Sequence, residues 1–455
     1  MSKTVQRRKF LKQAAAGVAG SALIPQSAWS QPQGANESIR VAVLGTGGKG
    51  SDHINRFQRL EGVEVVAICD ADADRIEGNS AKFSKAYKGK KVDTYQDYRK
   101  VLDRDDIDAV VIATPNHWHT TMAVHACQAG KHVYVEKPSS HNIWEGPRLT
   151  EAAKKYGRVV QTGTQRRSDP GWHEAMQYLR SGALGKVEVS RGLCYKRRKS
   201  IGKVAMPAPI ADSVNYDLWS GPAEIQPVMR ERFHYDWHWI WDYGNGDLGN
   251  QGVHQTDVAR WALGANSLPR RVVSVGGRFG YEDDGETANS QFAIFEYDEG
   301  KLIFEVRGLG MKKDMDARPV YKVDRKHSAG ITVGNVVHCE YGYIAESGAY
   351  DHEGRRLKKF GFTGGGEHQA NFIEAVRKGD PEAVSCPPED GHLSSAICHL
   401  ANISHRLGSA GAPEAISERF EGDAAAQATF ESFKDHLAAN EIDVKKVQPT
   451  LGPVL

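Results

Sequence analysis

The feature of this sequence that most constrains the fold is a glycine-rich turn that follows a predicted strand. The apolar residues 41–44 run into Gly45-Thr46-Gly47-Gly48-Lys49-Gly50, which has the spacing Gly-x-Gly-x-x-Gly. A second apolar run, Val63–Cys69, ends at Asp70, about twenty residues after the turn. A strand, this turn, a helix and a strand that ends in an acid form the fingerprint of a dinucleotide-binding βαβ unit.

The glycines and the acid have separate predicted roles. Gly45 permits the tight turn, Gly47 lets a pyrophosphate approach the backbone, and Gly50 lets the helix pack on the strand. The free N–H groups at the start of that helix favour phosphate. Asp70 is expected to accept hydrogen bonds from both ribose hydroxyls and to repel a 2′-phosphate. The predicted cofactor is therefore NAD rather than NADP.

Residues 1–30 are predicted to be a twin-arginine export signal. They contain Arg7-Arg8-Lys9-Phe10-Leu11-Lys12, a small-residue apolar stretch over 14–24, and Ala28-Trp29-Ser30 as a small-x-small cleavage site. The apolar stretch is too short for a permanent membrane span. A signal of this kind is an address read by the twin-arginine export machinery. The mature protein is thus expected to be periplasmic or otherwise exported, with a short linker over 31–38.

The composition is that of a two-domain globular protein. Its 455 residues are 40% hydrophobic and 25% charged, and a chain of this length exceeds the usual size of one domain. The formal net charge of +2 gives no reason to expect nucleic acid or stable membrane insertion. Six cysteines occur without a Cys-x-x-Cys motif, and Cys69 and Cys127 are expected to be packed thiols rather than disulfide partners.

Strands and helices continue to alternate after the first unit. Predicted strands over 109–113, 132–135 and 159–162 alternate with predicted helices over 120–129 and 143–156. This order predicts a doubly wound parallel sheet over residues 39–165, an α/β fold. Ligands bind at the carboxyl ends of such strands, which is where Pro115, Asn116 and Lys137 lie in the sequence.

The order of motifs resembles the Gfo/Idh/MocA family of glucose–fructose oxidoreductases and inositol dehydrogenases. Besides the glycine turn, the resemblance rests on Thr114-Pro115-Asn116-His117, Ala129-Gly130-Lys131-His132-Val133, Glu136-Lys137-Pro138, Gly246-Asp247-Leu248-Gly249-Asn250-Gln251-Gly252-Val253-His254 and Asn371-Phe372-Ile373-Glu374-Ala375-Val376. The resemblance implies a Rossmann domain followed by an α+β domain over 166–455, built on a large, mostly antiparallel sheet. It also implies a homo-oligomer formed through the open face of that sheet.

The predicted NAD-binding residues combine the glycine turn, the acid and the strand-end motifs. They are Gly45, Thr46, Gly47, Gly48, Lys49, Gly50, Asp70, Thr114, Pro115, Asn116, His119, Glu136 and Lys137.

The second domain shows strand-like runs of its own, over 187–195, 271–277, 290–297 and 302–307. Residues 250–263 are predicted to form a helix, on which Asn250 and His254 are four apart and so project from one side. Two more helices are predicted over 369–378 and 392–407.

Within the family resemblance, three residues are predicted to be catalytic. Hydride removal from a secondary alcohol leaves a hydroxyl proton that must pass to a base. His254 is the predicted base, and Lys137 is predicted to hydrogen-bond the same hydroxyl and stabilise the developing alkoxide. Many family dehydrogenases have aspartate four residues before the histidine, but this chain has Asn250. An amide can orient a hydroxyl, but it cannot raise the pKa of His254 by its charge.

The substrate class is suggested by the aromatic segment 234–243, which precedes the predicted catalytic helix. Its rings, with Trp237 and His238 as predicted substrate contacts, suit a sugar or polyol, although such a segment can equally be packed core. Arg166 could bind an acidic group or form salt bridges between the domains. Histidine pairs occur at 117/119 and 234/238, but no Cys or carboxylate completes a zinc set, so no metal is expected.

Two functions remain open from the sequence. The first is a NAD-dependent oxidoreductase that transfers a hydride from a secondary alcohol of a sugar, sugar derivative or cyclitol. The second is a glycoside-cleaving enzyme that uses bound NAD catalytically, through oxidation, elimination and reduction. Export favours the second because such a cycle regenerates its own NAD, whereas the Glu-Lys-Pro and Gly-x-His motifs are those of ordinary dehydrogenases.

Overall fold

The computed structural model describes residues 38–310, 321–323, 330–345 and 348–455. Two sheets organise these residues, one of six strands and one of ten. The predicted export signal and nearly all of its linker lie outside the described residues. No helix of the described part is long and apolar enough to cross a membrane.

The first sheet is parallel throughout, with strand order β3-β2-β1-β4-β5-β6. This confirms the predicted doubly wound α/β domain. Its elements are β1 (Ile39–Leu44), α1 (Gly48–Gln58), β2 (Val63–Cys69), α2 (Ala73–Ala86), β3 (Asp93–Tyr95), α3 (Tyr98–Leu102), β4 (Ala109–Ile112), α4 (His119–Gln128), β5 (His132–Val135), α5 (Glu145–Tyr156) and β6 (Val160–Thr162).

Both faces of this sheet are buried, as a parallel sheet requires. Side chains alternate along β1, so that Ala42 and Leu44 pack beneath α4 and α5, whereas Val41 and Val43 pack beneath α1. A helix from far along the chain completes the second face, because Phe372 and its neighbours join that same core. Part of the segment predicted as second domain, 166–455, therefore packs on the first sheet.

The second sheet is mostly antiparallel, as the family resemblance implies. Its order is β14-β13-β12-β11-β7-β10-β9-β8-β16-β15, and β7 and β10 pair in parallel. Its elements and the helices around it are α6 (Pro170–Arg180), β7 (Val187–Cys194), α7 (Tyr216–Ser220), α8 (Val253–Leu263), β8 (Arg271–Gly277), β9 (Ser290–Glu296), β10 (Lys301–Arg307), β11 (Val333–Cys339), β12 (Gly342–Ala345), β13 (Gly348–Tyr350), β14 (Arg356–Lys359), α9 (His368–Lys378), α10 (Pro388–Arg406), β15 (Ser409–Ala410), α11 (Pro413–Arg419), α12 (Ala424–Ala438) and β16 (Thr450–Leu451).

The two faces of the second sheet carry separate apolar cores. On one face, Phe295 and Phe304 pack against α8 and α10. On the other, Phe292 packs against Phe430 and Phe433 of α12. The face expected to be open for oligomer formation is thus covered over β8, β9 and β10 by the chain's own C-terminal helices.

The six cysteines all lie within the described residues, buried and unpaired. The expectation of packed thiols is therefore confirmed. Burial raises the pKa of the Cys127 thiol to about 12, which keeps it in the protonated form that suits an apolar environment.

Candidate active site

One cavity within the described residues lies at the carboxyl ends of the first sheet's strands, where the second domain faces it. Its volume is about 630 Å³, within the range of small-molecule and cofactor sites. The glycine turn and Asp70 lie in the same cavity as Lys137 and His254. Two parts of the sequence that were predicted to act together therefore meet here.

The glycine turn has the geometry predicted for it. Gly45 has φ +82°, and a Cβ there would lie 2.7 Å from the backbone of Ala113. A Cβ on Gly50 would lie 1.7 Å from the Gly45 carbonyl oxygen, so only glycine allows α1 to approach β1 this closely. Gly47 precedes α1 without any side-chain cap. The first N–H groups of the helix are consequently available to an anion such as a pyrophosphate.

Asp70 is held by backbone and side-chain donors at the edge of the cavity. One oxygen accepts from the N–H and hydroxyl of Thr46 at 2.7 and 3.1 Å, and the other accepts from the N–H of Asp72 at 3.1 Å. A carboxylate has about four acceptor sites, so capacity remains for ribose hydroxyls. Arg75 lines the cavity beside it, with its guanidinium next to Gly47. Arg75 was not predicted, although an arginine at the start of the helix after β2 could have indicated a residue of the cofactor site.

Glu136 lies at the end of β5 and is fixed by two residues of the first domain. His53 of α1 and Gln165 both contact its Oε1, at 2.9 and 3.0 Å. Burial alone would raise the pKa of Glu136, but the hydrogen bond from His53 and the charges of Lys49 and Lys137 hold it below its usual range. Glu136 is therefore a permanent negative charge beside Lys137.

Lys137 reaches from the first domain to the second. Its Nζ donates to the backbone carbonyl of Asn250 at 2.5 Å. Removal from water lowers the pKa of Lys137, and the neighbouring Glu136 opposes that shift. An ammonium has three donors, so two remain for a ligand in the cavity.

The helix that carries His254 begins later than predicted. An α-helix was expected from Asn250, but Leu248–Gly252 forms a π-helical turn and α8 starts at Val253. Glycines allow this wide turn, since a Cβ on Gly249 would lie 2.4 Å from the Asn245 side chain. Asn250 and His254 still line the same cavity, and π-turns are often found at functional sites.

His254 has the electrostatics of a neutral base. Neither of its ring nitrogens has a hydrogen-bond partner within the described residues, and the ring lines the cavity. Burial, followed by the charge of Lys137, lowers the pKa of His254 to about 3, while Glu136 and Asp257 act in the opposite direction. The imidazole is thus unprotonated at neutral pH and can accept a proton.

The aromatic segment 234–243 serves both of the roles left open for it, because some of its rings line the cavity and others are packed core. Trp237 and His238 line the cavity with their rings stacked at 3.7 Å between centroids. Tyr243 instead packs in an apolar cluster with Trp219. The Nδ1–H of His238 donates to the Tyr235 carbonyl at 2.6 Å, which leaves Nε2 as an acceptor. Burial lowers the pKa of His238 to about 3.

A buried ion pair anchors the π-turn. Arg198 binds Asp247 through Nη2 at 2.5 Å and through Nε at 2.9 Å. The same guanidinium donates to the Tyr235 hydroxyl at 3.3 Å. The pair ties the segment just after β7 to the turn that carries Asn250. No local pattern predicts it, because the two residues are 49 apart.

Most of the predicted site residues lie together. Those that line the cavity are Gly45, Gly47, Gly48, Lys49, Asp70, Thr114, Pro115, Asn116, His119, Glu136, Lys137, Trp237, His238, Asn250 and His254. Thr46 and Gly50 lie just behind it, as a partner of Asp70 and as the contact of α1 with β1. His119 links the loops after β4 and β5 through the carbonyls of Thr114 and Pro138.

Arg166 lies elsewhere. It is not among the cavity's lining residues, and its Nη1 donates to Asn335 of β11 at 2.8 Å. The neighbouring Arg167 forms an ion pair with Asp257 of α8 at 2.9 Å. Arg166 thus contacts β11, and its role as a substrate contact stays a prediction.

The cavity also has lining residues that were not predicted. Gln96 and Tyr98 come from the first domain, and Leu218, Trp219 and Gln251 come from the second. His234, previously considered only for metal binding and as part of the aromatic segment, also lines the cavity. Gln251 stands in the motif over 246–254, whereas the others reach the site through long-range packing rather than through a local motif.

Family models match both domains of the chain. An oxidoreductase family model described as a NAD-binding Rossmann fold (GFO_IDH_MocA) matches residues 39–164. The model of the corresponding C-terminal alpha/beta domain matches residues 176–317. Together they cover more than half of the chain.

Curated relatives match about two fifths of the chain. A glycosyl hydrolase family 109 protein of Solibacter usitatus is 36% identical over 203 residues, which are 41% of this chain and 45% of that protein. An inositol 2-dehydrogenase of Salmonella typhimurium is 31% identical over 183 residues, 40% of this chain and 53% of that protein. The matched region thus spans about half the length of these relatives.

Solved structures share the fold at low identity. The WlbA dehydrogenase from Bordetella pertussis, in complex with NADH and UDP-GlcNAcA, is 19% identical with a TM-score of 0.57, over 80% of this chain and 97% of that one. Levoglucosan dehydrogenase in complex with NADH is 18% identical with a TM-score of 0.58, over 81% and 96%.

Proposed function

Because the chain belongs to the Gfo/Idh/MocA oxidoreductase family and has its NAD-binding Rossmann domain, we propose that it is a NAD-dependent oxidoreductase. Its substrate is a secondary alcohol of a sugar, a sugar derivative or a cyclitol. The observation that carries this proposal is that Lys137 and His254 meet in the cavity that also holds the glycine turn and Asp70. A hydrogen-bond donor and a neutral base are thereby placed beside the cofactor site.

The residues divide the work of alcohol oxidation among them. When NAD is bound, it supplies the acceptor for the hydride. His254 takes the hydroxyl proton. Lys137 donates a hydrogen bond to the same oxygen and stabilises the negative charge that develops there. Asn250 orients the hydroxyl with its amide, and Trp237 provides an apolar face for the sugar ring.

Absorbance of NADH tests this proposal. The protein loaded with NAD is mixed with myo-inositol, D-glucose, D-galactose, their N-acetylamino sugars and their uronic acids. We expect at least one compound to reduce NAD at a rate that saturates with its concentration. If none of them does so while NAD is bound, the proposed substrate class is wrong.

A second candidate is redox-neutral glycoside cleavage, and His238 is the observation that favours it. Oxidation of one sugar carbon acidifies the C–H next to it, so elimination of the aglycone needs a second base. The Nε2 of His238 is a second neutral acceptor in the cavity, which simple dehydrogenation does not require. Aryl glycosides distinguish the two candidates, because release of the phenol without net NADH supports cleavage, and NADH without phenol supports the dehydrogenase.

We also propose that the protein is exported through the twin-arginine machinery. Support comes from the paired arginines at 7 and 8, the apolar stretch 14–24 and the small residues around 28–30. The test is cell fractionation of the full-length protein and of Arg7→Lys/Arg8→Lys. We expect the mature form outside the cytoplasm for the natural sequence and a retained precursor for the variant. Equal export of both would exclude this route.

A further inference from the structure

His53 is a fully buried histidine that lies behind the cavity. It belongs to α1, the helix whose first turn faces the phosphates of the predicted cofactor, but it is not among the residues that line the cavity. Its Nε2 contacts the Oε1 of Glu136 at 2.9 Å. Since a carboxylate can only accept, Nε2 carries the proton and donates this hydrogen bond.

The carboxylate of Glu136 is held by three donors. Besides His53, the side-chain amide of Gln165 donates to Oε1 at 3.0 Å, and the backbone N–H of Lys137 donates to Oε2 at 3.3 Å. The backbone passes so close that a Cβ on Gly163 would lie 2.8 Å from the carboxyl carbon. A buried carboxylate stays ionised only while such donors replace its water. His53 supplies the shortest of the three hydrogen bonds.

The charge of Glu136 acts on several titratable groups around it. They are Lys49 and His53 of α1, His119 of α4, Tyr134 of β5, Lys137 just after β5, His254 of α8 and His368 of α9. The proposed reaction uses Lys137 as a charged donor. Removal from water lowers the pKa of Lys137, and the charge of Glu136 opposes that shift. An ionised Glu136 therefore supports the ammonium form of Lys137.

Packing alone does not explain a histidine at position 53. Its ring lies 5.1 Å from that of Tyr134 and 5.9 Å from that of Phe57, between centroids, and a phenylalanine ring would supply the same contacts. Nδ1 is buried and has no hydrogen-bond partner in the part of the chain that the structure describes. An apolar ring would avoid the cost of that unpaired nitrogen. What only the histidine provides is the hydrogen bond from Nε2.

We propose that His53 is a positioning residue of the oxidoreductase. Its hydrogen bond keeps Glu136 ionised and in place, and Glu136 in turn keeps Lys137 as the ammonium that donates to the substrate oxygen. α1 thereby serves two parts of the site, with its first turn at the cofactor phosphates and its second turn at the carboxylate beside the lysine. The inference rests on Lys137 acting as it does in the proposed function.

Two substitutions separate the donor from the ring. His53→Gln keeps an amide N–H near the position of Nε2, whereas His53→Phe keeps a packed ring and removes the donor. In each protein, loaded with NAD, carbon NMR follows the carboxyl carbon of Glu136 as the pH is changed, and Glu136→Gln assigns the resonance. This measurement needs no substrate. The Kd for NAD and kcat with the best compound of the sugar and cyclitol panel are measured alongside it.

We expect Glu136 to stay ionised between about pH 5 and pH 8 in the natural protein and in His53→Gln. In His53→Phe, Glu136 should take up a proton within that range, because its burial is no longer offset by the donor. That variant should still bind NAD, but its kcat should fall by about 10- to 100-fold. His53→Gln should keep a kcat close to that of the natural protein.

His132→Phe is the matched control. His132 lies at the opposite end of β5 from Glu136, and its Nδ1 accepts from the Val159 N–H at 3.0 Å. The same substitution there removes a hydrogen-bonded histidine without contacting Glu136, so kcat and the Glu136 resonance should stay those of the natural protein. If His53→Phe does not fold, His53→Asn takes its place, because that amide is too short to reach Glu136.

Three results would each overturn the inference: a Glu136 that stays ionised in His53→Phe, a natural kcat in that variant, or an equal loss of kcat in His53→Gln. In each case NADH still forms in the natural protein, so the oxidoreductase is left intact. If instead no compound of the panel reduces NAD, the proposed function is wrong. A Glu136 that takes up a proton in His53→Phe alone would then still support the hold of His53 on its charge.

Discussion

His254 and Lys137 act on the same hydroxyl in this account, and their charges influence one another. Burial and the positive charge of Lys137 both favour the neutral imidazole. With Asn250 in place of an aspartate, no carboxylate at that position opposes them. The neutral base is therefore available over a wide pH range. The same environment, however, destabilises the protonated form of His254 that results when it accepts a proton.

Asn250→Asp is expected to change the pH profile of turnover. A base works in its unprotonated form, and a pKa of about 3 keeps His254 unprotonated well below pH 7. The natural protein should therefore show no acid limb in kcat/KM near the ordinary histidine pKa of about 6.5. The added carboxylate raises the pKa of His254, so an acid limb should appear at higher pH in the variant. Identical pH profiles would show that the residue at position 250 does not influence the pKa of His254.

Asp70→Ala is expected to weaken the preference for NAD over NADP. Hydrogen bonds from ribose hydroxyls to a carboxylate are lost, and Arg75 is left beside the position of a 2′-phosphate. The Kd for NADP divided by the Kd for NAD should fall by about 10- to 100-fold. Asp70→Asn is the matched control, because it keeps an acceptor for Thr46 but removes the charge. An unchanged ratio would exclude Asp70 from ribose recognition.

At the scale of the element, local patterns predicted nine of the sixteen strands and six of the twelve α-helices of the described residues. Val63–Cys69, His132–Val135 and Arg271–Gly277 have the predicted ends, since alternation and turn residues are encoded within a few positions. The π-turn over Leu248–Gly252 was not predicted because the contacts that hold it, from Arg198 to Asp247 and from Lys137 to Asn250, come from distant parts of the chain. The placement of α9 on the first sheet was missed for the same reason.

The site was predictable to the extent that its residues lie in motifs. The glycine turn, Asp70, Lys137 and His254 stand next to recognisable strand ends. His234 and Arg198 act through partners 162 and 49 residues away, and no local spacing indicates such pairs. The antiparallel bridge between Asp72 and Val214 is likewise a property of the assembled fold.

Gly50→Ala is expected to weaken both NAD binding and the stability of the fold. The new Cβ would lie 1.7 Å from the Gly45 carbonyl oxygen, so α1 must move away from β1 and its N-terminal N–H groups with it. We expect the Kd for NAD to rise about 100-fold and the free energy of unfolding to fall by about 1–3 kcal/mol. Isothermal titration and denaturant unfolding measure both.

Gly78→Ala in α2 is the control, because nothing lies within 4 Å of its Cβ position. It should bind NAD normally and gain about 0.5–1 kcal/mol of stability. Equal NAD affinity in both variants would mean that the approach of α1 to β1 does not form the phosphate site.

For the whole molecule, buried histidines are expected to make the fold sensitive to acid. Burial lowers the pKa of His117, His399 and His436 to about 3, whereas the unfolded value is about 6.5. Between these values the unfolded chain binds more protons than the native one, so stability falls as pH falls. The free energy of unfolding should drop by about 1–2 kcal/mol per such histidine between pH 7 and pH 5. Urea unfolding at the two pH values measures this, and no pH dependence would contradict it.

The C-terminal helices constrain how a homo-oligomer can form. Phe433 is fully buried between α12 and β9, so Phe433→Ala should cost about 3–5 kcal/mol of folding free energy. The mass in solution, measured by light scattering, should stay the same. A variant that changes its oligomeric mass with little loss of stability would show that this face is an interface between subunits.

The most direct test of the central claim compares NAD reduction in three forms of the protein. The natural protein, His254→Asn and Lys137→Met are each loaded with NAD, confirmed by the nucleotide released on denaturation, and mixed with the best compound of the sugar and cyclitol panel. We expect NADH formation by the natural protein and a loss of about 100-fold or more in its rate in each variant, with NAD still bound. Equal rates in all three would contradict it.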